Sequence, residues 1–281
     1  MTKNRPPGAV VPRGPRPAPR IHAGMAMVRR KDRPIEWYEP VILLTAGMIA
    51  GFVNTLAGGG TLITIPALIF LGLPSPVANG TNRVAILMQT SVSAGRFYQQ
   101  GKLEIRRSAP ATGAAMAGAI VGAFIAAELP ERIFDIALAV VLVLVVATLF
   151  VRKPVPGEDA FRLRSVWLQV PVFFVIGIYG GFIQAGVGFL LITGITWLLG
   201  LDLVKTNATK VFIILFYSIL ALIIFTVYGQ VVWVLGLILG VGNMIGAWIG
   251  VRFAVKRGAK AVRWVIVAAV AASALRLIGV F

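Results

Sequence analysis

The 281-residue chain has no cysteine and a single histidine, His22. The first absence excludes disulfides, thiolate chemistry and cysteine metal sites. The second leaves no metal centre or catalytic triad built on histidine outside the first 36 residues, so no metal, cofactor or enzymatic reaction is expected. Charge is also scarce: only 13% of residues are Asp, Glu, Lys or Arg, against about a quarter in a soluble domain. No acid lies deep in an apolar run; Asp135 is near the start of one and Asp202 follows another. No G-x-x-x-x-G-K-[ST] run is present, which removes the phosphate-binding loop of an ATPase.

What remains is apolar. Hydrophobic residues make up 58% of the chain and the mean hydropathy is +0.88. Apolar stretches fall at about 38–56, 61–73, 78–98, 108–127, 133–151, 166–185, 189–201, 207–228, 231–251 and 262–279. A helical crossing needs roughly 20 such residues, so the expected fold is an all-α, polytopic membrane protein. The net charge of +17 does not indicate a nucleic-acid partner, because the cations sit in a Pro-rich tail and in loops between spans rather than on one folded face. Residues 1–36 are expected to be a disordered basic tail, not a signal peptide. Met25 and Met27 are alternative starts, and binding to anionic headgroups is the tail's functional reading.

The stretches 61–73 and 189–201 are too short to cross comfortably and each follows a glycine cluster, Gly58-Gly59-Gly60 and Gly186-Val187-Gly188. Sliding the chain by 128 residues aligns Gly58 with Gly186, Gly60 with Gly188, Gly72-Leu73 with Gly200-Leu201, Asn79 with Asn207 and Thr81 with Thr209. This is an internal repeat of about four to five segments per copy: residues 37–151, a linker at 152–164, and residues 165–281. Loop charge argues that the copies are inverted. The loop at 99–107 is basic and its counterpart at 228–230 is not; the loop at 128–132 is acidic and its counterpart after Val251 is basic. The basic tail and the 152–164 loop are expected in the cytoplasm too, and not every placement can hold at once. The glycines spaced by four, Gly118 and Gly122, then Gly242, Gly246 and Gly250, are expected to be helix-packing residues.

Non-helical backbone at membrane depth is tolerated only where protein buries it or it lines a cavity. The segments Asn54–Thr61 and Gln184–Gly188 therefore mark a candidate path, with Asn54, Gly58, Gly59, Gly60, Gln184, Gly186 and Gly188 at a substrate. A helix starting after each break aims free N–H groups at an anion; the alternative is that the glycines only permit a tight crossing. The second constellation is Asn79, Thr81, Asn82 and Arg83, matched by Asn207, Thr209 and Lys210. Asn and Thr suit helix N-caps and donate to oxyanions, and the cations either serve an anion or snorkel to the interface.

The run Gly51–Pro66 (GFVNTLAGGGTLITIP), then Leu71-Gly72-Leu73-Pro74 and Ala78-Asn79-Gly80-Thr81-Asn82-Arg83, resembles the sulfite exporter TauE/SafE family. Gly181–Gly188 and Thr206-Asn207-Ala208-Thr209-Lys210 resemble its degenerate second copy. The likeness covers about residues 40–279; the basic tail departs from it. The resemblance implies an inner-membrane transporter of small anions such as sulfite, sulfonates or related organic acids, often in export, with the substrate and the bilayer as its partners. If transport is proton-linked, the substrate itself is expected to carry the proton, and loss of proton-coupled flux on Asp135→Asn would argue against that. An anion channel and a non-transporting membrane scaffold are the rival readings, while a membrane enzyme lacks nucleophile–base pairs in its spans.

Overall fold

The computed structural model describes residues 36–150 and 166–277, with the later parts of the fifth and ninth helices described in backbone only. The Pro-rich tail and the 152–164 linker lie outside the described residues. Among the described residues nine helices follow one another: α1 (Tyr38–Leu56), α2 (Thr61–Phe70), α3 (Ser75–Gln99), α4 (Ile105–Glu128), α5 (Glu131–Phe150), α6 (Val166–Phe182), α7 (Val187–Leu199), α8 (Leu203–Val227) and α9 (Trp233–Leu277). Among the described residues, α1, α4, α8 and the Trp233–Lys256 part of α9 are long and apolar enough to cross a membrane. Helices α2 and α7, with 10 and 13 residues, reach roughly 15–20 Å at about 1.5 Å per residue and fall short of a core of about 30 Å.

Two expectations are corrected. Most of the stretch 231–251 and the described part of 262–279 belong to one helix, Trp233–Leu277. The connecting residues are mostly Lys, Arg and Ala with no proline, all good helix formers, so charge alone does not end the helix. Nor do Asn79 and Asn207 cap helices. Helix α3 begins at Ser75 after Pro74, and α8 begins at Leu203, where Asp202 accepts from the N–H groups of Val204 and Lys205 at 2.9 and 3.1 Å. The two asparagines therefore sit a turn further in.

Close glycine contacts set helix directions. A Cβ on Gly242 would meet the carbonyl of Leu44 at 2.3 Å, one on Gly246 that of Met48 at 1.9 Å, and one on Gly250 the Thr55 side chain at 3.2 Å, so α1 and α9 run parallel. Helix α3 runs the same way, with Gly236 on Val84, Gly240 on Met88 and Trp248 under Arg96. In the same manner Gly177 packs on Ala115 and Gly181 on Ala119, which makes α4 and α6 parallel. Helix α8 joins them, held at one end by Lys205 to Glu104 at 2.7 Å and at the other by Tyr228 to Glu128 at 2.8 Å. The Lys205 bond holds the Glu104 carboxyl below its ordinary range. The first group, α1–α3–α9, opposes the second, α4–α6–α8: Phe225, late in α8, lies against Gly80 and Arg83, early in α3.

Each group thus combines two helices from one half of the sequence with one from the other, and the groups meet along α3 and α8. Lipid offers helices no hydrophobic reason to associate, so close approach over small residues does this work. The buried Ala111, Ala115, Ala119, Ala123 and Ala126 line α4, while Ile49, Val175, Ile223, Ile245 and Ile249 point outward. Positive φ recurs at the same interval as the motifs: Gly58 and Gly186, Gly72 and Gly200, Gly101 and Gly229 are each 128 residues apart and are the positive-φ glycines of the described chain. The two ends of the molecule differ in charge. Arg96, Lys102, Arg106, Arg107, Lys205, Arg252 and Lys256 gather where α3 ends, against Glu104 and Asp202. Glu36, Glu39, Glu128, Glu131 and Asp135 gather at the other end, with Arg132.

Candidate functional site

The two glycine breaks cross at the centre of the molecule. A Cβ on Gly58 would lie 2.4 Å from Gly188 Cα, and one on Gly188 would lie 2.2 Å from Gly58 Cα, so main chain rests on main chain. Gly60 is equally confined, against the Ala50 carbonyl and Asn54. Gly186 caps α7 in the left-handed region with φ of 73°. The tight-crossing reading therefore holds for Gly58, Gly60 and Gly188. It does not account for the amides: the N–H groups of Gly59, Gly60 and Thr61 take no acceptor among the described residues.

Arg83 and Lys210 are both fully buried, so neither snorkels. Each ties one helix group to the other. Arg83, on α3, donates from Nη1 to the Gly180 carbonyl at 2.7 Å and to Gln184 Oε1 at 2.8 Å, and from Nη2 to the Gly181 carbonyl at 2.8 Å. Its guanidinium lies 5.4 Å from the centre of the Phe225 ring. Lys210, on α8, donates to the carbonyls of Asn54 and Thr55 at 2.9 and 3.0 Å and to Asn207 Oδ1 at 2.8 Å. Each cation from one half of the sequence thus closes the end of the first helix of the other half, just before its break. Helix C-termini carry roughly half a negative charge, which offsets part of each cation. No carboxylate completes the balance: Glu39, at the far start of α1, is the buried acid among the described residues.

Several buried polar atoms on the same elements lack a partner, most of them donors. Arg83 Nε, both side-chain polar atoms of Asn82, Gln184 Nε2, Asn207 Nδ2, Thr209 Oγ1 and Gln89 Nε2 are buried without a protein partner. Buried polar groups are normally bonded; unpaired atoms also occur outside these motifs, on Thr64, Ser218, Gln230 and Asn243. Of the residues expected at the site, Asn79 and Thr81 are committed elsewhere: Asn79 donates to the Phe182 carbonyl at 3.0 Å and Thr81 accepts from the Val232 amide at 3.0 Å. Gln89 and Ser93, outside the repeated motifs, join the site. Gln89 accepts from Asn54 at 3.0 Å, and Ser93 lies 3.2 Å from Thr55. Asn82, Gln89, Ser93, Arg96 and Gln100 follow helical spacing along α3, a signal present in the sequence.

A model of the family described as "Sulfite exporter TauE/SafE" matches residues 43–277, from within α1 to the end of α9. The chain belongs to the sulfite exporter TauE/SafE family. Among its relatives is a Sinorhizobium protein called probable membrane transporter protein ORF9, 30% identical over 84% of this chain and 91% of its own length. A probable membrane transporter protein of Haemophilus influenzae is 26% identical over 80% and 89% of the two chains. The probable membrane transporter protein YfcA of Escherichia coli K12 is 28% identical over 84% and 88%. No solved structure matches. The chain is thus a multi-pass protein of a membrane transporter family, and the breaks, Arg83 and Lys210 fall within the matched span.

Proposed function

We propose that this TauE/SafE protein is a secondary transporter that exports small oxyanions, such as sulfite, sulfonates or related organic acids, by alternating access across the inner membrane. The observation that carries the reading is the buried, reciprocal pair Arg83 and Lys210, two basic side chains without a carboxylate partner among the described residues, with unpaired donors on the same elements. An oxyanion supplies both the missing charge and the missing acceptors. Asn82, Gln184, Asn207, Thr209 and the free amides after Gly58 are its contacts, with Gln89 behind them; Asn54, Asn79 and Thr81 position the elements. Gly58, Gly60, Gly186 and Gly188 keep the breaks narrow enough to bring those groups together.

The two sequence halves form an inverted repeat. The opposed directions of α1 and α6, the exchanged last helices and the paired positive-φ glycines support it. Alternating access is then a rocking of α1–α3–α9 against α4–α6–α8 about the α3–α8 seam, during which the cation-to-carbonyl ties yield to a bound anion. A channel fits less well, because both cations are sealed and Phe97, Leu56, Val211 and Val251 pack as one apolar cluster between them and the basic end. By the positive-inside rule the basic end faces the cytoplasm. Helix α1 starts at the other end, which opposes the cytoplasmic placement expected of the basic tail from its own charge.

Uptake of labelled sulfite and of a short sulfonate into proteoliposomes tests the reading. Saturable flux that is lost in Arg83→Gln or Lys210→Gln protein of normal folded yield is expected. A wild-type protein inert to every such anion, with and without an imposed proton gradient, overturns the substrate assignment.

A further inference from the structure

At the basic end, away from the central cations, α3 and α9 part to leave a cleft of about 340 Å³ lined by Arg96, Gln100, Trp248, Val251, Arg252 and Lys256. The guanidiniums of Arg96 and Arg252 each stack on Trp248, 5.1 Å from its ring centre. Two like charges gathered about one indole repel, and neither they nor Lys256 has a carboxylate partner among the described residues. A guanidinium over a ring keeps N–H groups available, the part of arginine that grips a tetrahedral oxyanion.

The architecture does not demand this cluster. At the opposite end of the molecule the matching helices are α8 and α4: Gly118 packs on Phe174 and Gly122 on Ile178 as Gly242 packs on Leu44 and Gly246 on Met48, a pairing 124 residues apart. There Phe124 stands where Trp248 does, Glu128 where Arg252 does and Tyr228 where Gln100 does. Phe124 and Tyr228 meet edge to face at 6.4 Å and Tyr228 donates to Glu128, so that position is filled and self-satisfied. A general excess of cations on one membrane face accounts for basic residues near the helix ends. It does not account for three of them around one ring in an open cleft.

We infer that the α3–α9 cleft is a second anion site, for a phosphate- or sulfonate-type oxyanion, held by Arg96, Arg252 and Lys256 against Trp248. It is independent of the transport reading. Such a group reaches it either as the headgroup of an anionic lipid, whose chains would follow the apolar flank of α9, or as a free anion from the aqueous side.

The test is ligand binding to the full chain in detergent, followed by native mass spectrometry and by thermal melting. The probes are inorganic phosphate, inorganic sulfate, short-chain phosphatidylglycerol and short-chain phosphatidylcholine. Arg96→Gln and Arg252→Gln are compared with wild type and with Arg106→Gln, which removes the same charge from an exposed position at the same end but outside the cleft. The expected result is binding of phosphatidylglycerol or of the inorganic anions, weakened about tenfold or more by either cleft substitution, as for loss of a charge-assisted contact, and little by Arg106→Gln. Binding confined to phosphatidylglycerol identifies a lipid site; binding of phosphate or sulfate as well identifies a free-anion site. Failure of all probes, or equal weakening by Arg106→Gln, overturns the inference.

Discussion

Gly58→Ala is the sharpest probe of the crossing between the breaks. Gly58 has φ of 85°, and its added Cβ would stand 2.4 Å from Gly188 Cα and 2.6 Å from Gly188 C. The left-handed conformation costs an alanine about 1–2 kcal/mol. Forcing a methyl group against main chain that cannot rotate away costs about 1–3 kcal/mol more, so the sum is about 2–5 kcal/mol. Gly95→Ala is the matched control: Gly95 is helical, exposed and has nothing within 4 Å of the new Cβ, so a gain of about 0.5–1 kcal/mol is expected. Thermal melting and folded yield in detergent read both. Gly58→Ala with wild-type melting and yield would refute the crossing, because no rearrangement short of parting the two breaks admits that methyl group.

Further consequences follow from particular contacts. Gly118→Ala puts a Cβ 2.0 Å from the Phe174 carbonyl and is expected to destabilise the α4–α6 pair by about 1–3 kcal/mol, seen as lost folded yield; a neutral outcome contradicts the parallel packing. Glu104 has its carboxyl pKa lowered by Lys205, so the pair stabilises at neutral pH and its contribution disappears as pH falls through that depressed value. The small melting difference expected between wild type and Glu104→Gln for an exposed pair should therefore close in acid, and a difference that widens in acid would contradict the assignment. Because the chain has no cysteine, single cysteines report access directly. Gln100→Cys is expected to react with a membrane-impermeant maleimide and Asn82→Cys, at a fully buried position, to resist it in the absence of substrate; equal rates would argue for an open path.

Much of this organisation was legible in the sequence. The limits of α1 coincide with its apolar run, and the short α2 and α7 follow their glycines because a left-handed turn and a close approach need glycine. What was misjudged has local causes. Reading Asn79 and Asn207 as caps passed over Pro74-Ser75-Pro76 and Asp202, which start those helices earlier. The cations at Arg83 and Lys210 left snorkelling open because sequence does not show that each has backbone carbonyls of the other half within reach; those partners lie 97 and more residues away. Gln89 and Ser93 lie outside the repeated motifs, and this polar stripe continues on α3 alone. The corresponding part of α8 turns apolar after Ser218, with Ala221, Leu222 and Phe225 buried.

The proposed transport cycle binds an anion beside Arg83 and Lys210 and carries it by conformational exchange rather than through a pore. The most direct measurement is counterflow in proteoliposomes: labelled sulfite outside, with or without excess unlabelled sulfite inside. Internal sulfite is predicted to accelerate entry of label in wild type, with the effect lost in Arg83→Gln and Lys210→Gln. Entry that is unaffected by internal sulfite and rises in proportion to external concentration would contradict a carrier, and acceleration that survives both substitutions would displace the site from these two cations.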